Sequence, residues 1–326
     1  MEILILGGTA FLGRAIANEA VAREHAVTCL ARGTAPAPEG VDFIAADRDE
    51  EDGLAGVAGR EWDAIIDVSR HPGQVRRAVR DLDARHRVFV STGNVYAAFD
   101  RPEQSEDAAL LTPLDGEVME SMEEYGPAKV ACEQAVLEAA SSATIVRSGL
   151  IGGPGDVSGR TGYWPWRFAS PTGDDVIAPD DLDFPVALID VRDLASWLIT
   201  AAEQRIDGVF NATGPTTTLG DVLETSKQVA RSSAPLRLVP LDRVTELGIG
   251  EWMGPKSMPL WIEDPGWRWF ATMDTSRARA AGLVTRPLAD TLADALEYER
   301  TRDVARRAGL TDEEESEVRS ALDVEV

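Results

Sequence analysis

The chain opens on an unbroken apolar run, "EILILG", and passes at once into "FLGRAIANEAVARE", where apolar residues return at helical spacing. Short apolar runs recur in "AVTCLAR", "VDFIAAD", "DAIIDVS", "HRVFVST" and "ATIVRSG". Runs of this length, rich in Val and Ile, predict strands covered on both faces. Helical patterns lie between them. "PGQVRRAVRDLDAR" opens with Pro-Gly, and a helix predicted from Tyr125 to about Ser141 carries Pro127 in its first turn. Strands alternating with helices through right-handed crossovers predict an α/β fold built on a doubly wound parallel sheet.

After Gly149 this rhythm breaks. "GLIGGPGDVSG" carries five glycines, and seven of the eight tryptophans follow, beginning at Trp164. The shift predicts a smaller C-terminal substrate lobe made of residues 151–185 and 214–305. A strand, helix and strand in "FPVALIDVRDLASWLITAAE" and "DGVFNATG" return the chain to the first domain, which then comprises 1–150 and 186–213. The most acidic run, "TDEEESEVRSALDVEV", reads as a solvated helix or frayed tail within a terminal segment 306–326.

Composition narrows the partners. With 326 residues, 44% of them hydrophobic, the chain can bury a sizeable core. Its net charge of -24 opposes phosphate backbones, so nucleic acid is not an expected partner, and the charge reads as a source of solubility. No apolar run approaches the roughly 20 residues that span a bilayer, and the N-terminus lacks a basic n-region. A cytoplasmic protein without membrane contact is expected. Cys29 and Cys132 fall in apolar segments without ligand spacing, and His25, His71 and His86 are isolated, so no metal site is expected.

Two places carry chemistry. Gly7, Gly8 and Gly13 stand where the first strand turns into the first helix. Glycine permits a tight turn and close backbone approach, and the helix N-terminus presents unpaired N–H groups, so this is a candidate dinucleotide pyrophosphate site running from Gly7 through Thr9, Ala10, Phe11 and Leu12 to Gly13. An acidic residue ending the second strand would select NAD through the ribose 2′-OH, but "CLARGT" places Ala31 and Arg32 there. Arginine pairs with a 2′-phosphate, which favours NADP and leaves NAD open. Asp47, with Arg48 beside it, is placed for the adenine end or for an N-cap. Val68 and Ser69, after the fourth strand, belong to the expected cofactor-binding set, as do Tyr125 and Lys129 further along the chain.

The second place is "EEYGPAKVACEQAV". The chain has only three lysines and four tyrosines, yet Tyr125 and Lys129 lie four apart, on one face of a helix. A nearby ammonium favours phenolate and lowers a tyrosine pKa by roughly one to three units. Such a tyrosine can pass a proton to or from a carbonyl oxygen while hydride moves to or from a nicotinamide.

With both features present, the chain resembles the short-chain dehydrogenase/reductase superfamily, in its extended or atypical NAD-dependent epimerase/dehydratase-like branch, over roughly residues 1–300. The resemblance implies that Tyr125 is the acid–base residue, that Lys129 also holds the nicotinamide ribose, and that a hydroxyl after the fifth strand bonds the reacting oxygen. In "VFVSTGNVYA" the residue four before Tyr96 is Thr92, with Asn94 a candidate substrate contact beyond it. "IVRSGLIGGPGD" and "LIDVRDLASWL" are similar to later segments of the family.

Two positions depart from the pattern. The middle glycine of the family's turn is Ala10, and the asparagine that contacts sugar nucleotides in epimerases and dehydratases is replaced by Leu150. In the second lobe, Tyr163, Trp164 and Trp166 suit either a substrate pocket or a core, while Asp156 and Arg160 stand as cleft-rim or solvated loop residues.

The expected activity is that of an NAD(P)-dependent oxidoreductase acting on a carbonyl or hydroxyl of a small organic or sugar-like molecule. Its rivals are a nucleotide-sugar epimerase or dehydratase with tightly held NAD, and a non-catalytic dinucleotide sensor. The family leaves a homodimer as the candidate assembly.

Overall fold

A computed structural model describes residues 1–324. In chain order the elements that matter are β1 (Glu2–Leu6), α1 (Phe11–Ala22), β2 (Ala26–Ala31), β3 (Asp42–Ala45), β4 (Ala64–Asp67), α2 (Pro72–Asp81), β5 (Arg87–Thr92), α3 (Tyr125–Ala139) and β6 (Ala143–Ser148). There follow β7 (Leu150–Gly152), α4 (Tyr163–Ala169), β8 (Val176–Pro179), β9 (Leu188–Asp190), α5 (Val191–Gln204) and β10 (Gly208–Ala212). The last are α6 (Leu219–Val229), β11 (Leu236–Val239), α7 (Leu288–Thr301) and α8 (Asp312–Asp323).

Seven strands form one parallel sheet in the order β10-β6-β5-β4-β1-β2-β3. From β1 the chain winds one way through β2 and β3, then the other way from β4 onward. Right-handed crossovers in opposite directions put helices on opposite faces. Accordingly α1 packs with α5, and α2 with α3. Ile3, Leu4, Ile5 and Leu6 of β1 have no exposed surface, as a strand covered on both faces requires. Leu6 is in register with both Leu30 of β2 and Asp67 of β4, so the strand order reverses between β1 and β4. A crevice outside the carboxyl ends of strands at such a reversal is where ligands bind in open α/β sheets.

Two compact units result: residues 1–149, 191–213 and 273–284, and residues 150–190, 214–272 and 285–326. These boundaries differ from the sequence reading in three places. Strand β9 pairs with β7 of the second unit, so the return begins with α5 at Val191 rather than at 186. The segment Met273–Val284 belongs to the first unit, where Gln104 bridges to Met273 and the Trp197 indole donates to Ala281 O. The acidic 306–326 segment is part of the second unit; its residues 325–326 lie outside those described.

Within that second unit α8 is no frayed tail. Thr311 and Glu314 close a capping box at its start. Its Glu315 is buried and sits 2.6 Å from Arg167 Nε, a guanidinium with no exposed surface. Arg167 also bonds Leu310 O at 2.9 Å and Asp312 at 2.9 Å. Acidic residues in the first turn suit the helix dipole, and one of them neutralises a buried cation.

Candidate active site

The glycine turn is built as the sequence predicts. Gly7 has φ +101°, a conformation that disfavours a side chain, and its amide donates to Leu30 O. A Cβ on Gly13 would fall 2.1 Å from Gly7 O, so the helix start and the strand end touch backbone to backbone. Val68 closes against Gly7 from β4's end, since a Cβ on Gly7 would meet its Cγ2 at 2.6 Å. Thr9 is buried, Ala10 exposed, and Phe11 and Leu12 half-buried. Ala10 has φ -113° and ψ 155°, extended backbone that alanine adopts without strain, so the loss of the family's middle glycine does not distort the turn.

The N-terminus of α1 has no side-chain cap and no acidic residue in its first turn. Its first N–H groups therefore have no capping side chain, and the positive end of the dipole is not offset, which fits a pyrophosphate. Sequence reasoning missed Arg14. Its guanidinium donates to Thr9 O at 3.0 Å and to Pro36 O, tying the turn to the loop that begins at Arg32. An arginine following the last glycine was the only signal for it.

Arg32 is exposed and has no hydrogen-bond or ion-pair partner among the described residues. Its charge reaches His71, whose pKa is lowered by burial first, then by Arg70 and Arg32, with Asp49 opposing. Asp47 caps its own turn, accepting from Asp49 N at 3.0 Å. Arg48 does not face outward: it is buried and forked onto Asp67, with both Nη–Oδ distances 2.9 Å. Burial alone would raise the Asp67 carboxyl, but the Arg48 charge, with bonds from Arg48 and Ser69, holds it below the ordinary carboxylate value.

On the other side of the reversal, α3 lies along the end of β5. Lys129 is 2% exposed, and its Nζ donates to Val90 O at 2.5 Å and to Ser69 O at 2.6 Å. The ammonium also stands 4.1 Å from the centroid of the Phe89 ring. Burial draws its pKa down to about 8 while Cys132, Asp67 and Glu133 oppose that fall, so it stays mainly charged at neutral pH. An ammonium has three donors, leaving one beyond those two bonds among the described residues.

Tyr125 opens α3 and is half-buried. At the next residue a Cβ would fall 2.4 Å from Asn94 O, so Gly126 lets the first turn of α3 close onto the segment after β5. That segment carries Thr92, which caps a short 3-10 turn: its Oγ1 donates to Asn94 Oδ1 at 2.8 Å and accepts from Asn94 N at 3.3 Å. Residues 126–129 of α3 thus lie against residues 90–94, so the segments that carry Tyr125, Lys129, Thr92 and Asn94 meet at the carboxyl end of β5.

A buried polar network braces this end. Arg147 forks onto Glu133 of α3, with its closest contact at 2.7 Å, and donates to the Tyr96 hydroxyl at 3.3 Å. Tyr96 donates to Asn211 Oδ1 at 2.7 Å, and Asn211 N donates to Glu106 at 2.8 Å.

The second-unit candidates Tyr163, Trp164 and Asp156 are buried. Tyr163 and Trp164 are 1% and 0% exposed and lie in the unit's apolar core, with the Trp164 indole donating to Pro259 O at 2.9 Å. A small lobe needs such rings to fill its interior, so the core alternative is the one adopted. Asp156 is also buried, its carboxylate accepting from Ser158 N and Oγ and from Thr161 Oγ1. Leu150 is 6% exposed and packs in the same core. Among the described residues no group of His, Cys, Asp and Glu is placed to hold a metal ion, and no helix is long and apolar enough to cross a membrane.

The family model for the NAD dependent epimerase/dehydratase family matches residues 3–213, and the chain belongs to that family. It is an NAD-dependent enzyme of the epimerase/dehydratase type, using a nicotinamide dinucleotide. No curated protein matches the sequence. Among solved structures the chain is similar to UDP-glucose 4-epimerase of Thermotoga maritima, with 16% identity, a TM-score of 0.66, and 92% of this chain and 99% of that one covered. It is similar to WbmH of Bordetella bronchiseptica in complex with NAD+, at 16% identity and TM-score 0.65 over 93% and 99% of the two chains. The NAD complex of UDP-glucose 4-epimerase from Thermus thermophilus gives 18% identity and a TM-score of 0.60 over 92% and 99%. At these identities the likeness is one of fold.

Proposed function

We propose that the protein interconverts a secondary alcohol and a ketone on a small sugar-like molecule, using its bound dinucleotide as the hydride partner. The observation that carries this is the seating of Lys129 between Ser69 O and Val90 O, one helical turn after Tyr125 and beside Thr92. A bound nicotinamide dinucleotide supplies hydride exchange at the substrate carbon. The chain's own residues do the rest. The uncapped start of α1 and the turn from Gly7 to Gly13 hold the pyrophosphate. The remaining Lys129 donor takes a ribose hydroxyl, one helical turn from Tyr125. Tyr125 then accepts the hydroxyl proton in the oxidising direction and returns it in the reducing one. The Thr92–Asn94 pair orients the reacting oxygen.

In the first reading the cofactor is retained and hydride returns to the same substrate, as an epimerase requires; family membership and the epimerase neighbours support it. Leu150, an apolar core residue, argues for a substrate whose recognition does not need an amide at that position. A second reading is favoured by Arg32. An exposed guanidinium without a partner at the end of β2 suits a 2′-phosphate, and NADP would then turn over in a net reduction or oxidation. We place the protein in the cytoplasm with a small-molecule substrate, without nucleic-acid or membrane partners, as a candidate homodimer.

The test is to incubate the purified protein with NAD or NADP and a panel of sugars and nucleotide sugars, UDP-glucose included. Epimer formation without net nicotinamide reduction supports the first reading, and stoichiometric NADPH formation or consumption the second. Neither change with any member of the panel counts against both.

A further inference from the structure

We propose that the buried Arg48–Asp67 ion pair is the positioning device for Lys129, fixing the Ser69 carbonyl on which the lysine is seated. The connection is a continuous chain of bonds. Arg48 leaves the turn after β3 and forks onto Asp67, the last residue of β4, with both groups buried. The fork's remaining donors reach Ser69 Oγ and, at 2.7 Å, Gln74 O in α2. Asp67 Oδ1 in turn accepts from Ser69 N at 2.9 Å. Ser69 is therefore gripped at its amide and its hydroxyl, which leaves its carbonyl aimed at Lys129 Nζ, 2.6 Å away.

A buried pair that only stabilised the end of β4 would not need to hold Ser69 at two atoms. Here each partner of the pair takes one of them. Burying two charges is costly unless further bonds satisfy them, and two of those bonds converge on the residue that seats Lys129. The titratable groups facing Lys129 are Cys132 and Glu133 on α3 and Asp67 on β4, while β5 presents the Phe89 ring. Asp67 acts in a second way, because its charge favours the ammonium that burial disfavours.

This inference rests on the reading of Lys129 as a cofactor residue, but its test reads the lysine directly. The chain has three lysines, Lys129, Lys227 and Lys256, so NMR of protein isotopically labelled at lysine Cε shows three signals, assigned with Lys227→Arg and Lys256→Arg. In the wild type the expected midpoint for Lys129 is drawn down by burial to about 8. In Asp67→Asn its ammonium–amine equilibrium shifts about tenfold toward amine, roughly one pH unit. A folded Asp67→Asn protein with an unchanged midpoint would overturn the proposal.

Arg48→Lys guards against a variant that fails to fold, since it keeps a cation for Asp67 but loses the fork. It should displace the Lys129 signal and weaken NADH binding about tenfold or more, the loss of about one charge-assisted hydrogen bond. An unmoved signal in folded Arg48→Lys would also overturn the proposal. Displaced signals in both variants with unchanged NADH affinity would uphold the positioning while removing Lys129 from the cofactor site.

Discussion

The Lys129 ammonium is bonded to the carbonyl of Val90 at 2.5 Å, two residues before Thr92 and one helical turn after Tyr125. That contact ties the helix bearing Tyr125 to the strand bearing Thr92. Rotation of α3 by one residue would move Tyr125 about its axis relative to Thr92, so the register of α3 on β5 sets how these two residues face each other.

Tyr125→Phe should keep the fold and nicotinamide affinity, because the ring remains and only the hydroxyl is lost. Turnover should fall by about 100- to 10,000-fold, the usual contribution of a positioned acid–base group. Product formation alongside NADH titration checks this, and unchanged turnover would remove Tyr125 from the mechanism.

Gly13→Ala tests the cofactor turn. The new Cβ would lie 2.1 Å from Gly7 O, and neither backbone segment can move without opening the strand-to-helix junction. Overpacking of this kind costs about 1–3 kcal/mol, and a displaced turn should weaken NADH binding at least tenfold. Thermal unfolding and nicotinamide fluorescence read the two effects separately.

Arg32→Ala should weaken NADPH binding about tenfold or more while changing NADH affinity less than twofold, since a guanidinium–phosphate contact is lost only from the former. Equal losses for both dinucleotides would assign Arg32 a role unrelated to the 2′-phosphate.

Much of this site was legible in the residues themselves. Continuous apolar runs separated by helical spacing give β1 to β6, and Gly7, Gly13, Tyr125 and Lys129 are local patterns whose spacing carries the geometry. Arg48 was misleading because its position beside Asp47 shows nothing of its side chain, which turns inward to Asp67, 19 residues away. The segment 273–284 was illegible for a related reason. Its place in the first unit depends on Met273 and Ala281 meeting residues far off in sequence, and its own short helix gives no periodic signal. The acidic run left α8 open between a solvated helix and a frayed tail and hid its contact with Arg167, because a solvated helix and one that neutralises a buried cation have the same composition.

His86 gives a pH-dependent term in stability. It has no exposed surface, with Nδ1 2.8 Å from Ser142 Oγ and Nε2 2.8 Å from Thr144 Oγ1. Thr144 donates its proton to Ile206 O, so His86 donates from Nε2 and accepts at Nδ1, as a neutral ring. Burial, with Arg205 adding and Asp207 opposing, lowers its pKa from 6.5 to about 4. Between those values the unfolded chain binds a proton that the folded chain does not. Stability should therefore rise with pH across that window, by about 3 kcal/mol at most, and be fully present above it. His86→Gln should flatten this part of a denaturation-versus-pH curve.

Glu315→Leu should destabilise the second unit by about 3–5 kcal/mol, since it removes a carboxylate from a fully buried guanidinium. The double variant Arg167→Met/Glu315→Leu should recover much of that loss, which denaturant unfolding can follow.

The most direct test is a fluorescence titration of purified, nucleotide-free protein with NADH and NADPH, in the wild type and in Lys129→Met. The seating of Lys129 predicts saturable binding of at least one dinucleotide by the wild type, weakened about tenfold or more in the variant. A folded wild-type protein that binds neither dinucleotide, or a Lys129→Met variant that binds as tightly as the wild type, would contradict it.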